Sequence, residues 1–304
     1  MQILCTLFDS NYLSRALACH ESLLLQNFNF HIYMFAFDDL ALSILKKLKL
    51  SHATVISLEE FEDEELLKIK SSRSIAEYCW TCTPSVISYV LSKYGHDYCT
   101  YIDADTCFYR NPVDLYTSMG SASVLITPHF YTPTYDQTET SGIYCVQYMT
   151  FKNDAAGLLA LYWWRHACLD WCYARFEDGK FGDQKYLDDW PERFPGVYVS
   201  PNMGEGVAPW NIQQWNNKDL HKVIFYHFHA LKLFEGFGYM GFYNFPHWAT
   251  EELYRPYVKS LRRFDHVLLQ FPGYKSCFKK VPIKEKLKLL IFEKLKLRNN
   301  LIHF

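Results

Sequence analysis

Short apolar runs alternate with helical segments over the first third of the chain. Four runs have the length and composition of buried strands and lie at residues 2–8, 30–37, 53–58 and 98–102. Apolar positions recur at helical spacing between them, at residues 12–26, 40–49, 59–70 and 74–94. Pro84 is expected in a first helical turn, where proline is tolerated. Such alternation predicts an α/β fold with a parallel sheet, which binds ligands at the carboxyl ends of its strands.

The alternation weakens after residue 102. Strand-like runs follow at residues 122–127, 143–151 and 222–229, helices are predicted over 154–174 and 250–263, and a loop-rich segment covers 179–216. No internal repeat or low-complexity linker interrupts the sequence. We therefore expect one domain over residues 1–265 and a C-terminal extension over residues 266–304.

The extension is the part of the chain with a strong charge bias. Between residues 279 and 304, eight Lys or Arg stand against two Glu, interleaved with Leu, Ile and Phe. A solvated amphipathic helix would have this pattern, but we favour a basic segment that lies on an anionic membrane surface. The net charge of −2 does not indicate a nucleic-acid partner. No apolar run is long enough to span a membrane.

Ten cysteines are scattered through the apolar runs. The chain opens on a strand-like run where a secretory signal peptide would stand, so we expect reduced, buried cysteines in a reducing compartment. The spacings of Cys79 with Cys82 and of Cys168 with Cys172 are not completed by a second matched pair or a histidine cluster, which argues against zinc. The aromatic share of 18% is enough for a large core and for stacking on a flat ligand.

Two carboxylates, Asp103 and Asp105, follow the predicted strand 98–102 directly. Side chains at positions i and i+2 of an extended segment point to the same side, so both can bind one hard cation, or one can bind a ribose hydroxyl. His227 and His229 lie on a later predicted strand and offer an imidazole ligand, which suits Mn²⁺ somewhat better than Mg²⁺. A solvated loop and satisfied core histidines are the alternative interpretations.

Two further segments each allow two interpretations. In the segment 182–187, Gly182 and Asp183 would cap a helix, or Asp183 and Gln184 would lie in a polar pocket. In the segment 8–12, a turn with an N-cap is one interpretation, and contacts to a base and ribose are the other. No glycine-rich phosphate loop is present, so a diphosphate would be held by a metal ion and side chains.

Four stretches, in order, resemble retaining GT-A glycosyltransferases of glycosyltransferase family 8 over about residues 1–235. They are FDSNY, YIDADT, GDQKYL and YHFHALK. The resemblance implies the GT-A fold, a Rossmann-like nucleotide-diphospho-sugar transferase fold with a mixed, mostly parallel central sheet flanked by helices. It also implies that Asp103, Asp105 and His227 bind Mn²⁺ or Mg²⁺, with His229 as the alternative ligand.

The resemblance further assigns donor and catalytic residues. Asp183 and Gln184 would line the sugar pocket, with Gln184 near the β-face of the anomeric carbon, and Lys232 would contact the diphosphate. The nucleotide sugar as a whole would contact Thr6, Asp9, Asn11, Tyr12, Trp80, Thr83, Asp103, Ala104, Gln147 and Lys232. The chain departs from the family pattern at Ala230, at the early position of Lys232, and at Cys145-Val146-Gln147, which replaces the family's Asn-Ala-Gly.

The implied activity is metal-dependent transfer of a hexosyl unit from a nucleotide-sugar donor, with UDP-sugars favoured, to a saccharide or lipid-linked acceptor. Retention by same-face attack is favoured because the amide of Gln184 is a poor nucleophile. Surface polysaccharide synthesis at the inner face of the cell membrane, by a cytoplasmic, peripheral protein, fits the basic extension.

Three rival functions remain. An inverting GT-A enzyme would use Glu205, Asp136 or Glu139 as base. A nucleotidyltransferase would require a Gly-rich basic loop that is not found after the first strand. A non-catalytic carbohydrate-binding protein would use the aromatic stretch 234–248 as its groove.

Overall fold

The computed structural model describes residues 1–281 and 300–304. Its strands are β1 (Gln2–Phe8), β2 (Phe30–Ala36), β3 (Ala53–Ser57), β4 (Tyr98–Ile102), β5 (Thr106–Phe108), β6 (Val124–Pro128), β7 (Tyr144–Lys152), β8 (Val197–Val199), β9 (Phe225–His227), β10 (Lys232–Phe234), β11 (Phe237–Tyr239) and β12 (Leu301–His303). Its α-helices are α1 (Leu13–Leu24), α2 (Asp39–Leu48), α3 (Leu58–Phe61), α4 (Glu64–Lys70), α5 (Ile75–Tyr94), α6 (Val113–Ser118), α7 (Thr138–Ser141), α8 (Ala155–Asp170), α9 (Trp190–Arg193), α10 (His247–Ala249) and α11 (Arg255–Leu268).

Seven strands form the central sheet in the order β3-β2-β1-β4-β7-β6-β8. Strands β3, β2, β1 and β4 are parallel neighbours, as the alternation of strands and helices predicts. Strand β7 runs antiparallel to both β4 and β6, and β8 pairs parallel to β6. Outside this sheet, β5 pairs with β9 and β10-β11-β12 form a three-stranded sheet. The prediction of a mixed, mostly parallel α/β sheet is confirmed.

The core lies on both faces of the central sheet, which explains why the strands read as continuous apolar runs. Alternate residues of β1 enter different clusters, because successive side chains of a strand point to opposite faces. Cys5 packs with Val86 of α5 and Trp164 of α8 on one face. Leu4 packs with Leu17 of α1 on the other face. The parallel half of the sheet is therefore buried on both faces, and the loops at its carboxyl end extend from this core.

Two details of the predicted helices are wrong. Helix α5 begins after Ser74, whose side chain accepts from the Glu77 amide while the Glu77 carboxylate accepts from the Ser74 amide, so Pro84 lies inside the helix and not in its first turn. The predicted acidic helix over residues 59–70 is divided into α3 and α4, because Asp63 caps α4 by accepting from the Leu66 amide.

The C-terminal part of the chain packs against the domain at both of its described ends. Helix α11 continues past residue 265, and the buried Asp265 carboxylate accepts from Tyr274, Ser276 and the Cys277 amide. Strand β12 pairs with β11 and buries Ile302. The basic segment predicted to bind membranes falls largely on residues 282–299, which lie outside the described residues. Among the described helices, none is long and apolar enough to cross a membrane.

Candidate active site

A cavity of about 620 Å³ opens at the carboxyl ends of β1 and β4, where the fold predicts a ligand site. Helix α5 and the loops before β7 and after α8 complete its walls. Of the predicted site residues, the lining includes Asp9, Asn11, Tyr12, Trp80, Thr83, Asp103, Ala104, Asp105, Gln147, Asp183, Gln184, His227 and His229. The structure therefore brings most of the predicted residues to one cavity.

The floor of this cavity holds Asp103, Asp105 and His227. The pairing of β5 with β9 sets Thr106 opposite His227, which carries the imidazole to the two carboxylates after β4. The His227 Nε2 lies 3.2 Å from Asp105 Oδ1 and 3.6 Å from Asp103 Oδ2. One ligand atom from each of the three residues lies within 4.8 Å of the others. Two carboxylates and an imidazole are a suitable donor set for a divalent cation such as Mn²⁺ or Mg²⁺.

The three groups strongly perturb one another. Burial disfavours the charged form of Asp105, but the charge and hydrogen bond of His227 outweigh it and lower the Asp105 pKa to about 2. Burial raises the pKa of Asp103, with the nearby Asp105 charge adding to the effect. Burial alone would lower the pKa of His227, but Asp105 raises it well above the ordinary value. The cluster is thus an electronegative site in which the imidazole is the nearest compensating charge.

The turn after β1 has the capping role considered for it, and its residues also line the cavity. The Asp9 side chain caps the 3-10 turn Ser10–Tyr12 by accepting from the Asn11 amide at 3.0 Å, and the Asn11 side chain donates to Asp9 at 2.9 Å. Tyr12 is 43% exposed at the cavity, where its ring is accessible to a flat ligand. The Arg15 guanidinium lies 4.8 Å from the Tyr12 ring centroid and donates to the Leu231 carbonyl.

Asp183 and Gln184 lie in the cavity wall. A short 3-10 turn covers Lys185–Leu187 with Gln184 at its cap position and no side-chain cap hydrogen bond, so the capping interpretation of Gly182 and Asp183 is wrong. Asp183 is buried, and burial followed by the Asp103 charge raises its pKa to about 7. The Gln184 amide donates to the Ser141 carbonyl at 2.7 Å.

The chain resembles two proteins of Bacillus subtilis (strain 168). It is 32% identical to the uncharacterized protein YfnD over 269 residues, which is 82% of this chain and 86% of YfnD. It is 32% identical to the uncharacterized protein YfnF over 246 residues, which is 75% of this chain and 81% of YfnF. The chain belongs to the family of YfnD and YfnF. No protein-family model matches the sequence.

Solved structures place this family among GT-A folds. The galactosyltransferase LgtC, in complex with donor and acceptor sugar analogues, has a TM-score of 0.57 at 10% identity and covers 94% of this chain and 100% of LgtC. The bifunctional glycosyltransferase WbbM has a TM-score of 0.54 at 11% identity, over 88% of this chain and 51% of WbbM. GlyE of Streptococcus pneumoniae TIGR4 has a TM-score of 0.52 at 11% identity, over 93% of this chain and 66% of GlyE. The predicted GT-A fold is confirmed.

Some predicted residues lie outside the cavity lining. Lys232 is exposed on β10 and does not line the cavity, because β10 turns into a separate small sheet. Thr6 is buried within β1 and its hydroxyl has no hydrogen-bond partner in the described structure. Asp136 and Glu139 are exposed and do not line the cavity. Glu205 is buried at a second cavity of about 470 Å³, where Ser200 and Asn202 donate to it.

One wall of the cavity is aromatic, which the sequence did not predict. The Trp210 ring packs against three imidazoles, with centroid distances of 5.2 Å to His129, 5.6 Å to His227 and 5.5 Å to His229. Tyr131 stacks on His129 at 4.5 Å. Trp210 lies in the loop-rich segment 179–216, where no periodicity marks a buried residue. The high aromatic content was the available signal.

Proposed function

We propose that this protein is a metal-dependent glycosyltransferase that moves a sugar from a nucleotide-diphosphate donor, with UDP-sugars favoured, to a saccharide or lipid-linked acceptor with retention. The observation that supports this most is the convergence of Asp103, Asp105 and His227 on the floor of the main cavity. The GT-A fold and the glycosyltransferase activities named for LgtC, WbbM and GlyE support the same class.

The donor is proposed to lie across the carboxyl ends of β1 and β4. Asp9 and Asn11 are positioned to bind the ribose or base, and the exposed ring of Tyr12 to stack on the base. Asp103, Asp105 and His227 would hold Mn²⁺ or Mg²⁺, which when bound neutralises the charge that develops on the leaving diphosphate. The sugar would then project toward Asp183 and Gln184 on the wall formed by the loop after α8.

The neutral amide on that wall supports retention by same-face attack. Gln184 presents a neutral amide, which can stabilise positive charge on the sugar through its oxygen but is a poor nucleophile. Its nitrogen donates to the Ser141 carbonyl, which fixes the side chain. In the proposed step, the bond from the anomeric carbon to the phosphate oxygen breaks, the acceptor oxygen bonds from the same face, and the acceptor proton moves to the leaving phosphate. An active-site glutamine-to-glutamate mutant is named for LgtC, which supports an active-site role for a glutamine in this class of enzyme.

The inverting alternative requires a carboxylate base on the opposite side of the sugar. Asp136, Glu139 and Glu205, which the sequence suggested for this role, do not line the main cavity. Asp183 is the described lining carboxylate that remains outside the metal cluster and the nucleotide turn, and its pKa of about 7 suits a base. Product stereochemistry separates the two mechanisms.

The acceptor is proposed to bind against the aromatic wall that contains Tyr131, Trp210 and Tyr243. Aromatic rings stack on the apolar faces of sugars, and this wall lines the cavity beside the metal cluster. The basic segment over residues 279–304 is proposed to hold the protein at an anionic membrane on the cytoplasmic side. This arrangement suits surface polysaccharide synthesis.

The experiment is a screen of nucleotide sugars for slow donor hydrolysis in the presence of Mn²⁺, followed by NMR of the released sugar or product. We expect release of UDP from at least one UDP-sugar and no release in EDTA. The Asp105→Asn variant is the matched control, because it keeps the size of the side chain and removes its charge. No turnover of any donor, with or without acceptor saccharides, would contradict the proposal and favour a carbohydrate-binding protein.

A further inference from the structure

The side chain of Gln147 contacts His227 on the side away from the carboxylates. Its Oε1 lies 2.8 Å from His227 Nδ1, while His227 Nε2 faces Asp105. The backbone carbonyl of Gln147 also accepts from the Asp103 amide at 3.1 Å. One residue of β7 therefore holds both the backbone that bears one carboxylate and the ring that bears the imidazole ligand.

We propose that Gln147 is a positioning residue that fixes His227 for metal binding. An amide oxygen can only accept, so it selects the form of the ring in which Nδ1 carries the proton. When a cation takes the place of the Nε2 proton, the Nε2 lone pair is directed at the space between the carboxylates, where that cation would lie. Such contacts behind a metal-binding histidine set its orientation and raise its basicity as a ligand. The inference rests on the proposed function, because it concerns the same metal site.

The packing around Gln147 restricts the contacts that its side-chain amide can make. Gln147 is fully buried, and its Nε2 has no hydrogen-bond partner within the described residues. A Cβ placed on Gly206 would lie 2.8 Å from that Nε2, so the glycine allows the amide to pack here. An unpartnered buried amide nitrogen is costly, and a leucine would avoid that cost. The bond from His227 to the amide oxygen is the contact that accounts for a glutamine at this position.

The test uses three substitutions in the full chain, with Mn²⁺ alone as the probe and no nucleotide present. Gln147→Leu keeps the volume and removes the acceptor, and we expect it to raise the Mn²⁺ Kd by about tenfold to a hundredfold. Gln147→Glu keeps an acceptor for Nδ1, and we expect its Kd to be equal to or lower than that of the wild type. Gly206→Ala pushes the amide away from its place, and we expect it to weaken Mn²⁺ binding in the same direction as Gln147→Leu.

Tyr148→Phe is the matched control, because Tyr148 is the next residue of β7, is fully buried, and its hydroxyl has no hydrogen-bond partner in the described part of the chain. Its Kd should equal that of the wild type. Electron paramagnetic resonance of free Mn²⁺ measures each Kd, and thermal unfolding checks that each variant is folded. Equal affinity of Gln147→Leu and wild type would overturn this inference alone. A wild type that binds no Mn²⁺ would overturn both this inference and the proposed metal site, and failure of Gln147→Glu to restore affinity would contradict the acceptor role.

Discussion

His227 lies directly opposite Thr106 in the antiparallel pair of β5 and β9. Because Asp105 immediately precedes Thr106, the pairing carries the imidazole to 3.2 Å from the Asp105 carboxylate. The Phe228 amide also donates to the Asp105 carbonyl at 3.0 Å. Backbone pairing of two short strands therefore assembles the cluster from distant parts of the sequence.

Asp183 makes stability depend on pH in an unusual direction. Burial, followed by the Asp103 charge, raises its pKa to about 7 from an ordinary value of 3.8. Below the unfolded-state value both states hold the proton, and the buried group imposes no charge penalty. As the pH rises toward 7, the folded state binds more protons than the unfolded state, so this group lowers stability progressively.

We therefore expect Asp183→Asn to have a Tm several degrees higher than that of the wild type at about pH 8. This corresponds to an increase in the free energy of unfolding on the order of a few kcal/mol. The difference should shrink as the pH falls and disappear below about pH 3, where the wild-type carboxyl is neutral in both states. Thermal unfolding across this range in EDTA measures it. A Tm difference that does not change with pH would contradict the buried, proton-holding state of Asp183.

Gln184 is expected to act on the sugar and not on the diphosphate. We predict that Gln184→Ala lowers kcat by about tenfold to a hundredfold, while Mn²⁺-dependent UDP affinity stays within about twofold. Gln214→Ala is the matched control, because the Gln214 amide also donates to a backbone carbonyl, at 2.7 Å, but Gln214 does not line the cavity. Steady-state kinetics and UDP titration separate the two effects. A large loss of UDP affinity in Gln184→Ala would contradict this prediction and indicate that Gln184 contacts the nucleotide.

The cation near the diphosphate is expected to be Arg15 and not Lys232. Neither residue lines the cavity, and Lys232 is exposed. Arg15 is buried beside Tyr12, and its charge helps to lower the Asp105 pKa. We predict that Arg15→Gln weakens UDP binding in Mn²⁺ by about tenfold, and that Lys232→Gln changes it by less than about twofold. Calorimetry of both variants measures this. A stronger effect of Lys232→Gln would restore the role that the sequence resemblance assigns to it.

Membrane association is expected to depend on the charges of the basic segment. Deleting residues 279–304 would also remove β12 and the buried Ile302, so substitution is the cleaner test. We predict that replacing all six Lys and Arg between residues 282 and 299 with Gln releases the protein from anionic vesicles. Each lost charge should weaken the binding free energy by about 1 kcal/mol. Sedimentation with phosphatidylserine vesicles measures binding, and neutral vesicles are the control. Unchanged binding of the substituted protein would contradict the membrane proposal.

The strands β1 to β4 could be predicted because each is a separate apolar run with its own length and boundaries. The start of α5 could also be predicted, since Ser74 and Glu77 have the spacing of a capping box. Pro84 instead indicated a first helical turn ten residues later, which is wrong. The pairing of β5 with β9 could not be predicted, because strands of three residues have no periodicity and long-range pairing decides where they form.

Part of the candidate site could be predicted because some of its residues adjoin strands that the sequence predicts. Asp103, Asp105 and His227 stand next to recognisable strands, and their chemistry indicates a cation site without a structure. The contacts of Trp210 and Gln147 with His227 were harder to predict, because they depend on how the His227 ring is oriented in the cavity. Lys232 is the opposite case, since its motif position predicts a diphosphate contact while its side chain lies outside the cavity lining.

The most direct test of the central claim is calorimetric titration of UDP with and without Mn²⁺, on the wild type and on Asp105→Ala. We predict Mn²⁺-dependent UDP binding by the wild type and its loss in Asp105→Ala, because the carboxylates and His227 hold the cation that binds the diphosphate. Binding of UDP that is equally strong in Asp105→Ala, or no binding by the wild type in either condition, would contradict a metal-held diphosphate at this site.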